Sequence, residues 1–201
     1  MFIIGITGPS GSGKGEVSKH LSSKGAKIID ADEVYHDVIT PPSACINELV
    51  STFGKEILTD TGAINRKNLA LIVFSEENKE NLELLNKITH KYVIERINDI
   101  IFDCKNQGVD VCVIDAPLLI EAGIHKNCDL TISVLAHKDT RIERIMQRDG
   151  IDRSAAERRV NSQNLDEFYK ENTDETVYNN GDLASLFAEV DSILQKRRIK
   201  L

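Results

Sequence analysis

The feature that most constrains the fold is a glycine-rich run, Gly8-Pro9-Ser10-Gly11-Ser12-Gly13-Lys14, which follows a short apolar segment and precedes a segment with helical periodicity. Such a turn between a strand and a helix can aim successive backbone N–H groups at one anion. The helix start adds partial positive charge, and Lys14 can reach the outer phosphates. The sequence therefore predicts a phosphate-binding loop; the alternative is a glycine-rich surface turn.

Gly15 departs from the usual G-x-x-x-x-G-K-[ST] pattern, because it stands where a hydroxyl would bind Mg²⁺. Magnesium usually keeps several waters, so phosphates and water can still hold it. Asp115 and Asp32 are candidates for orienting those waters. Glu16 lies on the first helical turn, where we expect its side chain to point outward and favour the helix dipole. The predicted metal site therefore lacks a side-chain ligand from the loop.

Length and composition suit one α/β domain with insertions. The chain has 201 residues with 25 Lys and Arg against 32 Asp and Glu, a net charge of −7 that does not favour a nucleic-acid partner. No apolar run reaches the length of a membrane span, no signal peptide precedes the first strand, and the four cysteines lack C-x-x-C spacing. We therefore expect a cytoplasmic protein with reduced cysteines, no membrane contact and no obligate protein partner.

Two aspartates lie at the carboxyl end of the second predicted strand, residues 26–30. Asp30 ends this strand, and Asp32 lies just beyond it. The carboxyl ends of parallel strands line the ligand crevice of an open α/β sheet, so Asp32 is placed to accept a proton from an attacking hydroxyl. Alternatively, Asp30 or Asp32 caps the next helix. His36 shares the face of Asp32 one turn later, although a lone histidine is more often a surface residue.

Residues 41–106 are nearly all helical in pattern and form a predicted insert between two strands. Asn65 is placed as an N-cap, and an apolar stripe marks a long helix in the second half. We expect this insert to hold an acceptor substrate, with Arg66 and His90 as candidate contacts. Each of these two residues is also compatible with a surface or capping role.

Three further strands are predicted, at residues 109–114, 129–135 and 176–178. The first ends at Asp115, the place of a Walker-B carboxylate, although an aspartate there can also simply close a turn. Together the strands predict a parallel sheet of about five strands in the three-layer α/β fold of P-loop NTPases. Its core comprises residues 1–40, 107–136 and 165–201. Asn179 follows the last strand, in a loop suited to contact a purine base.

Residues 137–164 carry a basic cluster and form a predicted helical lid. Arg141, Arg144 and Arg148 lie on one side of a helix that Gly150 ends. The run Ser154-Ala155-Ala156-Glu157 predicts a capping box that opens a second helix. Arginine grips phosphate oxygens bidentately, so the cluster favours closure over a triphosphate. The alternative is a solvated helix with Glu–Arg pairs.

The order of these motifs resembles that of the dephospho-CoA kinase family over essentially the whole chain. The most discriminating residues are Asp30-Ala31-Asp32 and the run Ile114-Asp115-Ala116-Pro117-Leu118-Leu119-Ile120-Glu121-Ala122-Gly123. The match also includes the phosphate loop, Asn65-Arg66, Ile88-Thr89-His90, Arg144, Arg148 and Arg159 with Gln163, and Asn179-Asn180-Gly181. The chain departs from the family at Gly15, at Lys91 where proline is common, and at Arg141 where glutamine is common.

The resemblance implies a kinase that passes the γ-phosphoryl group of ATP to the ribose 3′-hydroxyl of dephospho-CoA, with Mg²⁺ as cofactor. It implies Asp32 as general base, and Lys14 and Arg144 as further catalytic residues. The implied ATP-binding residues are Gly8, Ser10, Gly11, Ser12, Gly13, Lys14, Gly15, Glu16, Arg144, Arg148 and Asn179. The implied acceptor-binding residues are Asp32, His36, Arg66, His90, Asp115 and Leu118.

Two alternatives remain open. A nucleoside monophosphate kinase of the same superfamily also carries glycine after the loop lysine, but the expected early monophosphate-binding arginine is missing from this sequence. An inactive relative would bind ATP without turnover; it would be expected to lose Lys14, Asp32 or the lid arginines, all of which are present.

Overall fold

The computed structural model describes residues 1–75 and 80–201. The chain divides into two compact units: Met1–Asp30 together with Asp103–Leu201, called here the first unit, and Ala31–Phe102, called the second unit. The predicted insert at 41–106 overlaps the second unit but starts later, because the helix that follows the second strand packs within the second unit. The division into core, insert and lid stays a prediction.

The first unit contains one parallel sheet. Its strands are β1 Phe2–Thr7, β2 Lys27–Asp30, β3 Val111–Asp115, β4 Leu130–Leu135 and β5 Glu175–Tyr178. They are arranged in the order β2-β3-β1-β4-β5, and all four pairings are parallel. This confirms the predicted five-stranded parallel sheet. The residues of β3 and β4 are almost entirely buried, as expected for a sheet covered on both faces.

The strand register brings the carboxyl ends of three strands level with one another. Asp115 of β3 pairs with Ile6 of β1 on one side and with Asp30 of β2 on the other. Because the glycine-rich run leaves β1 directly after Thr7, it begins at the same edge of the sheet as Asp115. The topology therefore places the loop and this carboxylate side by side.

The remaining regular structure of the described residues is mainly helical. The bounds of the helices are α1 Lys14–Ser23, α2 Ala31–Val38, α3 Ala44–Phe53, α4 Arg66–Val73, α5 Glu80–Asn106, α6 Lys138–Asp149, α7 Arg153–Asn161, α8 Asp166–Asn172 and α9 Leu183–Lys196. In the first unit, α1 and α9 bury an apolar face against the sheet through Val17, Leu21, Leu186 and Val190. Each such side chain contributes about 1.5–3 kcal/mol when fully buried. This core fixes the start of α1 relative to the sheet.

The second unit has its own apolar core. The buried residues are Cys45, Leu49, Phe53, Ile57, Leu69, Val73 and Ile88. The predicted cap at Asn65 is confirmed, since its side chain accepts a hydrogen bond from the Asn68 N–H at 3.1 Å. No helix in the described part of the chain, including the long α5, is long and apolar enough to span a membrane.

The start of α7 differs from the sequence prediction. Ser154 was expected to open the helix as part of a capping box, but the N-cap is Asp152, whose carboxylate accepts from the Ala155 N–H at 2.7 Å. A charged carboxylate caps a helix start at least as well as a hydroxyl, and it comes first in the chain. The helix begins at Arg153, which leaves Ser154 inside the first turn.

The cysteines are free thiols, as predicted. Burial raises the pKa of Cys112 and of Cys128 to about 12. Because the thiolate is the reactive form, a thiol with a raised pKa is a poor nucleophile at neutral pH.

Candidate active site

Two of the glycines in the loop, Gly11 and Gly13, are each required for two separate reasons. Gly11 has φ +80° and Gly13 has φ +99°, in the region that L side chains rarely adopt. A Cβ on Gly11 would also lie 2.7 Å from the Arg141 carbonyl oxygen, and one on Gly13 would lie 2.1 Å from the Asn179 side-chain nitrogen. The loop therefore runs in close contact with its surroundings.

Lys14 is the first residue of α1, and its Nζ donates to the Gly8 carbonyl at 2.9 Å. The side chain thus folds back across the loop that it follows. The N–H groups of the first helical turn have no intrahelical acceptors, and the helix dipole makes this end positive. The loop, the helix start and the Lys14 ammonium therefore combine into a site suited to a polyphosphate.

Arg144 and Asn179 brace the middle of the loop. The Arg144 guanidinium donates to the Gly11 and Ser12 carbonyls at 3.3 and 3.4 Å, and to the Asn179 carbonyl at 3.0 Å. The Asn179 side chain is 2% exposed and donates to the Ser12 carbonyl at 2.9 Å. Arg144 and Asn179, which were both predicted to bind the nucleotide, therefore contact the loop backbone through their side chains.

Ser12 takes part in this network through its backbone carbonyl. Its Oγ is buried and has no hydrogen-bond partner within the described residues. An unsatisfied buried hydroxyl costs about 1–3 kcal/mol relative to a bonded one. An unsatisfied hydroxyl within the phosphate loop fits a site that binds an oxygen-rich ligand.

Arg141 and Arg148 contact the loop at Ser10. The Arg141 Nε donates to the Ser10 carbonyl at 3.0 Å, and the Arg148 guanidinium donates to the Ser10 hydroxyl at 3.3 Å. Together with Arg144, all three arginines that the sequence placed on one side of α6 touch the phosphate loop. The clustering was predicted, whereas the burial of Arg141 was not.

Asp149 neutralises two arginines at the end of α6. It accepts from Arg148 at 2.7 and 3.0 Å and also binds Arg159. The Arg148 guanidinium, and then Arg159, hold the pKa of Asp149 at about 2. This carboxylate therefore stays ionised throughout the neutral range and ties α6 to α7.

Asp115 lies at the end of β3 and accepts from the Ser18 hydroxyl at 2.6 Å. No group of three or more His, Cys, Asp or Glu side chains that could hold a metal ion occurs in the described ranges 1–75 and 80–201. The Asp115 carboxylate lies at the same edge of the sheet as the start of the phosphate loop, and such a carboxylate is suited to orient water on a metal ion. Glu16 pairs with Lys19 on the surface of α1 at 2.8 Å, consistent with the expected outward orientation.

The second unit contains a cavity of about 440 Å³. Its polar lining comes from Asp32, Tyr35 and His36 on α2 and from Arg66 on α4. The apolar lining consists of Ile39, Ile64, Leu69, Ala70, Val73, Phe74 and Leu85. Burial raises the pKa of the Tyr35 hydroxyl, an effect that the nearby Arg66 charge opposes, so Tyr35 is a neutral hydrogen-bonding group.

This cavity gathers three of the six predicted acceptor-binding residues, namely Asp32, His36 and Arg66. His90 lies on α5 in the same unit but does not line the cavity. Asp115 and Leu118 belong to the first unit. Sequence reasoning missed Tyr35 and the apolar wall; Tyr35 is three residues from Asp32 on a helix, and that spacing indicates a shared face.

Comparison with known proteins identifies the family. A family model described as dephospho-CoA kinase matches residues 2–185. A dephospho-CoA kinase of Fusobacterium nucleatum subsp. nucleatum is 41% identical over 95% of this chain and 96% of its own length.

Solved structures agree with this relationship. A dephospho-CoA kinase from Campylobacter jejuni superposes with a TM-score of 0.68 at 27% identity, covering 96% of both chains. A Thermus thermophilus protein gives 0.78 at 27% identity over 97% of both chains. The matched family model and the near-full-length relatives show that the chain belongs to the dephospho-CoA kinase family.

Proposed function

We propose that this chain transfers the γ-phosphoryl group of ATP to the ribose 3′-hydroxyl of dephospho-CoA and releases coenzyme A and ADP. The observation that carries the proposal is the preformed phosphate loop, with Lys14 folded across it and three arginines of α6 in contact with it, two at backbone carbonyls and Arg148 at the Ser10 hydroxyl. Family membership supplies the acceptor.

The loop and its cations act on the donor. Phosphoryl transfer requires little covalent chemistry from a protein, so positioning and charge stabilisation supply most of the rate enhancement. Lys14 would neutralise the charge that develops on the transferring group. Arg144, anchored to the Gly11 and Ser12 carbonyls, would hold its guanidinium against the same group. Arg148 would add a phosphate contact beside Ser10.

The cavity of the second unit is the proposed acceptor site. Asp32 lies on its rim with an exposed side chain, and a carboxylate there would take the proton of the attacking 3′-hydroxyl. Arg66 would pair with an anionic part of the acceptor, since a guanidinium binds phosphate oxygens with a planar fork. The apolar wall, including Val73 and Phe74, suits the uncharged portion of a long substrate.

Magnesium is the proposed cofactor. Bound to the triphosphate, it would neutralise charge on the β- and γ-phosphates. The chain's part would be to orient metal-bound water through Asp115 or Asp32, because Gly15 supplies no hydroxyl. The cytoplasmic location expected from the sequence stays a prediction.

The alternatives are not favoured. Family membership argues against a nucleoside monophosphate kinase, and an inactive relative would be expected to lack Lys14, Asp32 or the arginines of α6, which are all present.

An ADP-release assay tests the proposal. With Mg-ATP as donor, dephospho-CoA is compared with AMP, CMP and UMP as acceptors, and a Lys14→Ala variant controls for contaminating activity. Of the four acceptors, we expect only dephospho-CoA to be phosphorylated. Faster turnover of any monophosphate would overturn the proposal, as would activity that Lys14→Ala retains in full.

A further inference from the structure

The backbone of Ser10 in the phosphate loop is held by side chains at both its N–H and its carbonyl. Its N–H donates to the Gln163 Oε1 at 3.1 Å, and its carbonyl accepts from the Arg141 Nε at 3.0 Å. The Arg141 Nη2 donates to the same Gln163 Oε1 at 2.7 Å. The three residues therefore form a closed ring of hydrogen bonds, called here the Ser10 clamp.

The clamp contains a buried cation. Arg141 is only 5% exposed, and its two clamp partners are a backbone carbonyl and a neutral amide oxygen. Removing a charged group from water is costly unless hydrogen bonds compensate for the lost hydration. Burial accordingly lowers the pKa of the Arg141 guanidinium, which nevertheless remains protonated at neutral pH. A site that retains such a group next to a phosphate loop gains a fixed positive charge there.

The backbone of Arg141 also packs directly on the loop. A Cβ on Gly11 would lie 2.7 Å from the Arg141 carbonyl oxygen and 3.0 Å from its Cα. Arg141 therefore fixes the loop twice, by its side chain at Ser10 and by its main chain at Gly11. Its neighbour on the next helical turn, Arg144, binds the Gly11 and Ser12 carbonyls.

We propose that Arg141 and Gln163 are positioning residues for nucleotide binding. They fix the backbone N–H and carbonyl of Ser10, so that the loop is formed before a nucleoside triphosphate arrives. The Arg141 charge adds a favourable field behind the phosphates. Preorganisation of this kind strengthens binding because the loop is already ordered. The proposal rests on the loop being a nucleotide site and is independent of the acceptor.

Calorimetric titration of the full-length chain with a non-hydrolysable ATP analogue, without acceptor, is the test. Arg141→Met removes the donor and the charge, and we expect its Kd to rise about tenfold or more, the usual range for a lost charged hydrogen bond. Arg141→Gln keeps a hydrogen-bond donor but not the charge, so its Kd should lie between those of Arg141→Met and the original chain. Gln163→Leu should also raise Kd about tenfold, whereas Gln163→Glu, which keeps the acceptor, should bind more tightly than Gln163→Leu.

The double variant Arg141→Met with Gln163→Leu sharpens the test. Both residues hold the backbone of Ser10 and are hydrogen-bonded to each other, so their effects should not be independent. The Kd of the double variant should therefore lie near that of the weaker-binding single variant and far below the value obtained by multiplying the two single effects. Independent, multiplicative effects would overturn the clamp. Gln163 is partly exposed, so its variants keep the proposal testable if Arg141→Met fails to fold.

Arg153→Met is the matched control, because Arg153 lies on α7 and pairs with Asp139 and Glu157 at the surface. We expect its Kd to be unchanged. Unaltered Kd in Arg141→Met and Gln163→Leu would overturn the clamp and leave the kinase proposal intact. Failure of the unsubstituted chain to bind the analogue would instead contradict the proposed function itself.

Discussion

The phosphate loop and the acceptor cavity are built in opposite ways. Backbone carbonyls of the loop receive hydrogen bonds from Lys14, Arg141, Arg144 and Asn179, and its glycines pack against neighbouring main chain or side chains. The cavity of the second unit is lined by side chains from several helices, and Phe74 on its wall is 70% exposed. The phosphate loop is thus defined by its backbone conformation, whereas the cavity is defined by side chains from separate helices.

This difference predicts different responses to mutation. A backbone site shaped by a dense hydrogen-bond network should lose donor binding or turnover when a bracing residue is removed. A side-chain cavity should lose only the interaction that the removed group makes. The following substitutions test that contrast, from the largest expected effect to the smallest.

Asp32→Asn should lower kcat by about 10²–10⁴, the usual contribution of a general base. The reduction in kcat should be closer to 10² if the transition state is loose, because a loose transition state depends less on a general base. Steady-state kinetics measure kcat, and thermal unfolding should be nearly unchanged because the Asp32 side chain is exposed. Glu33→Gln, one residue along α2, is the control. A kcat within a few-fold of the original would make Asp32 a helix-start residue without a catalytic role.

Arg144→Ala should lower kcat by about 10²-fold, because it removes a preorganised positive group and a brace on the loop. The KM for dephospho-CoA should change much less than kcat. Arg158→Ala is the matched control, since Arg158 lies on α7 and donates to the Ser154 hydroxyl. If Arg144→Ala instead raised only the acceptor KM, the assignment of Arg144 to the donor side would be wrong.

Arg66→Ala should raise the KM for dephospho-CoA about tenfold, in keeping with the loss of one hydrogen bond to a charged group. The KM for ATP should stay within experimental error, since Arg66 is proposed to contact only the acceptor. Lys67→Ala removes the neighbouring cation, which does not line the cavity. An equal effect of both variants would indicate a general electrostatic contribution and not a specific contact.

Gly15→Ser should have the smallest effect, lowering the half-saturating Mg²⁺ concentration a few-fold with little change at saturating metal. A Cβ at Gly15 meets no atom within 4 Å, so the hydroxyl can be added without displacing the loop. Gly15→Ala adds the Cβ without the hydroxyl and controls for helix propensity. Restoration of turnover in Gly15→Ser, starting from an inactive parent at high Mg²⁺, would support the inactive-relative reading.

The sequence predicted the sheet and the phosphate loop because both depend on local patterns. Apolar runs of strand length located all five strands, and the Gly-x-Gly-Lys spacing located the loop beside Asp115. The cavity was harder to predict, because Ile64, Phe74 and Leu85 come together only through the packing of separate helices. Among the cavity residues, only Asp32, His36 and Arg66 were predicted from the sequence.

Single side chains were the least predictable part of the site. Asn179 was expected to face a purine base, and its role in ATP binding stays a prediction; its side chain contacts the Ser12 carbonyl. Arg141 was grouped with the lid arginines expected to close over a triphosphate, yet it is buried at Ser10. Helical periodicity gives the face on which a residue lies but not how closely another segment approaches that face.

The close approach of Asn179 to Gly13 has a consequence for the evolution of this loop. A Cβ at position 13 would lie 2.1 Å from the Asn179 side-chain nitrogen, so the amide would have to shift, and the positive φ separately strains any residue with a side chain. Shortening Asn179 would relieve the first conflict but would also remove the donor to the Ser12 carbonyl. Each change alone therefore carries a cost, and both together still leave a strained backbone. Glycine is therefore strongly favoured at position 13, and variation in the nucleotide site is accommodated more easily at the side chains that surround it.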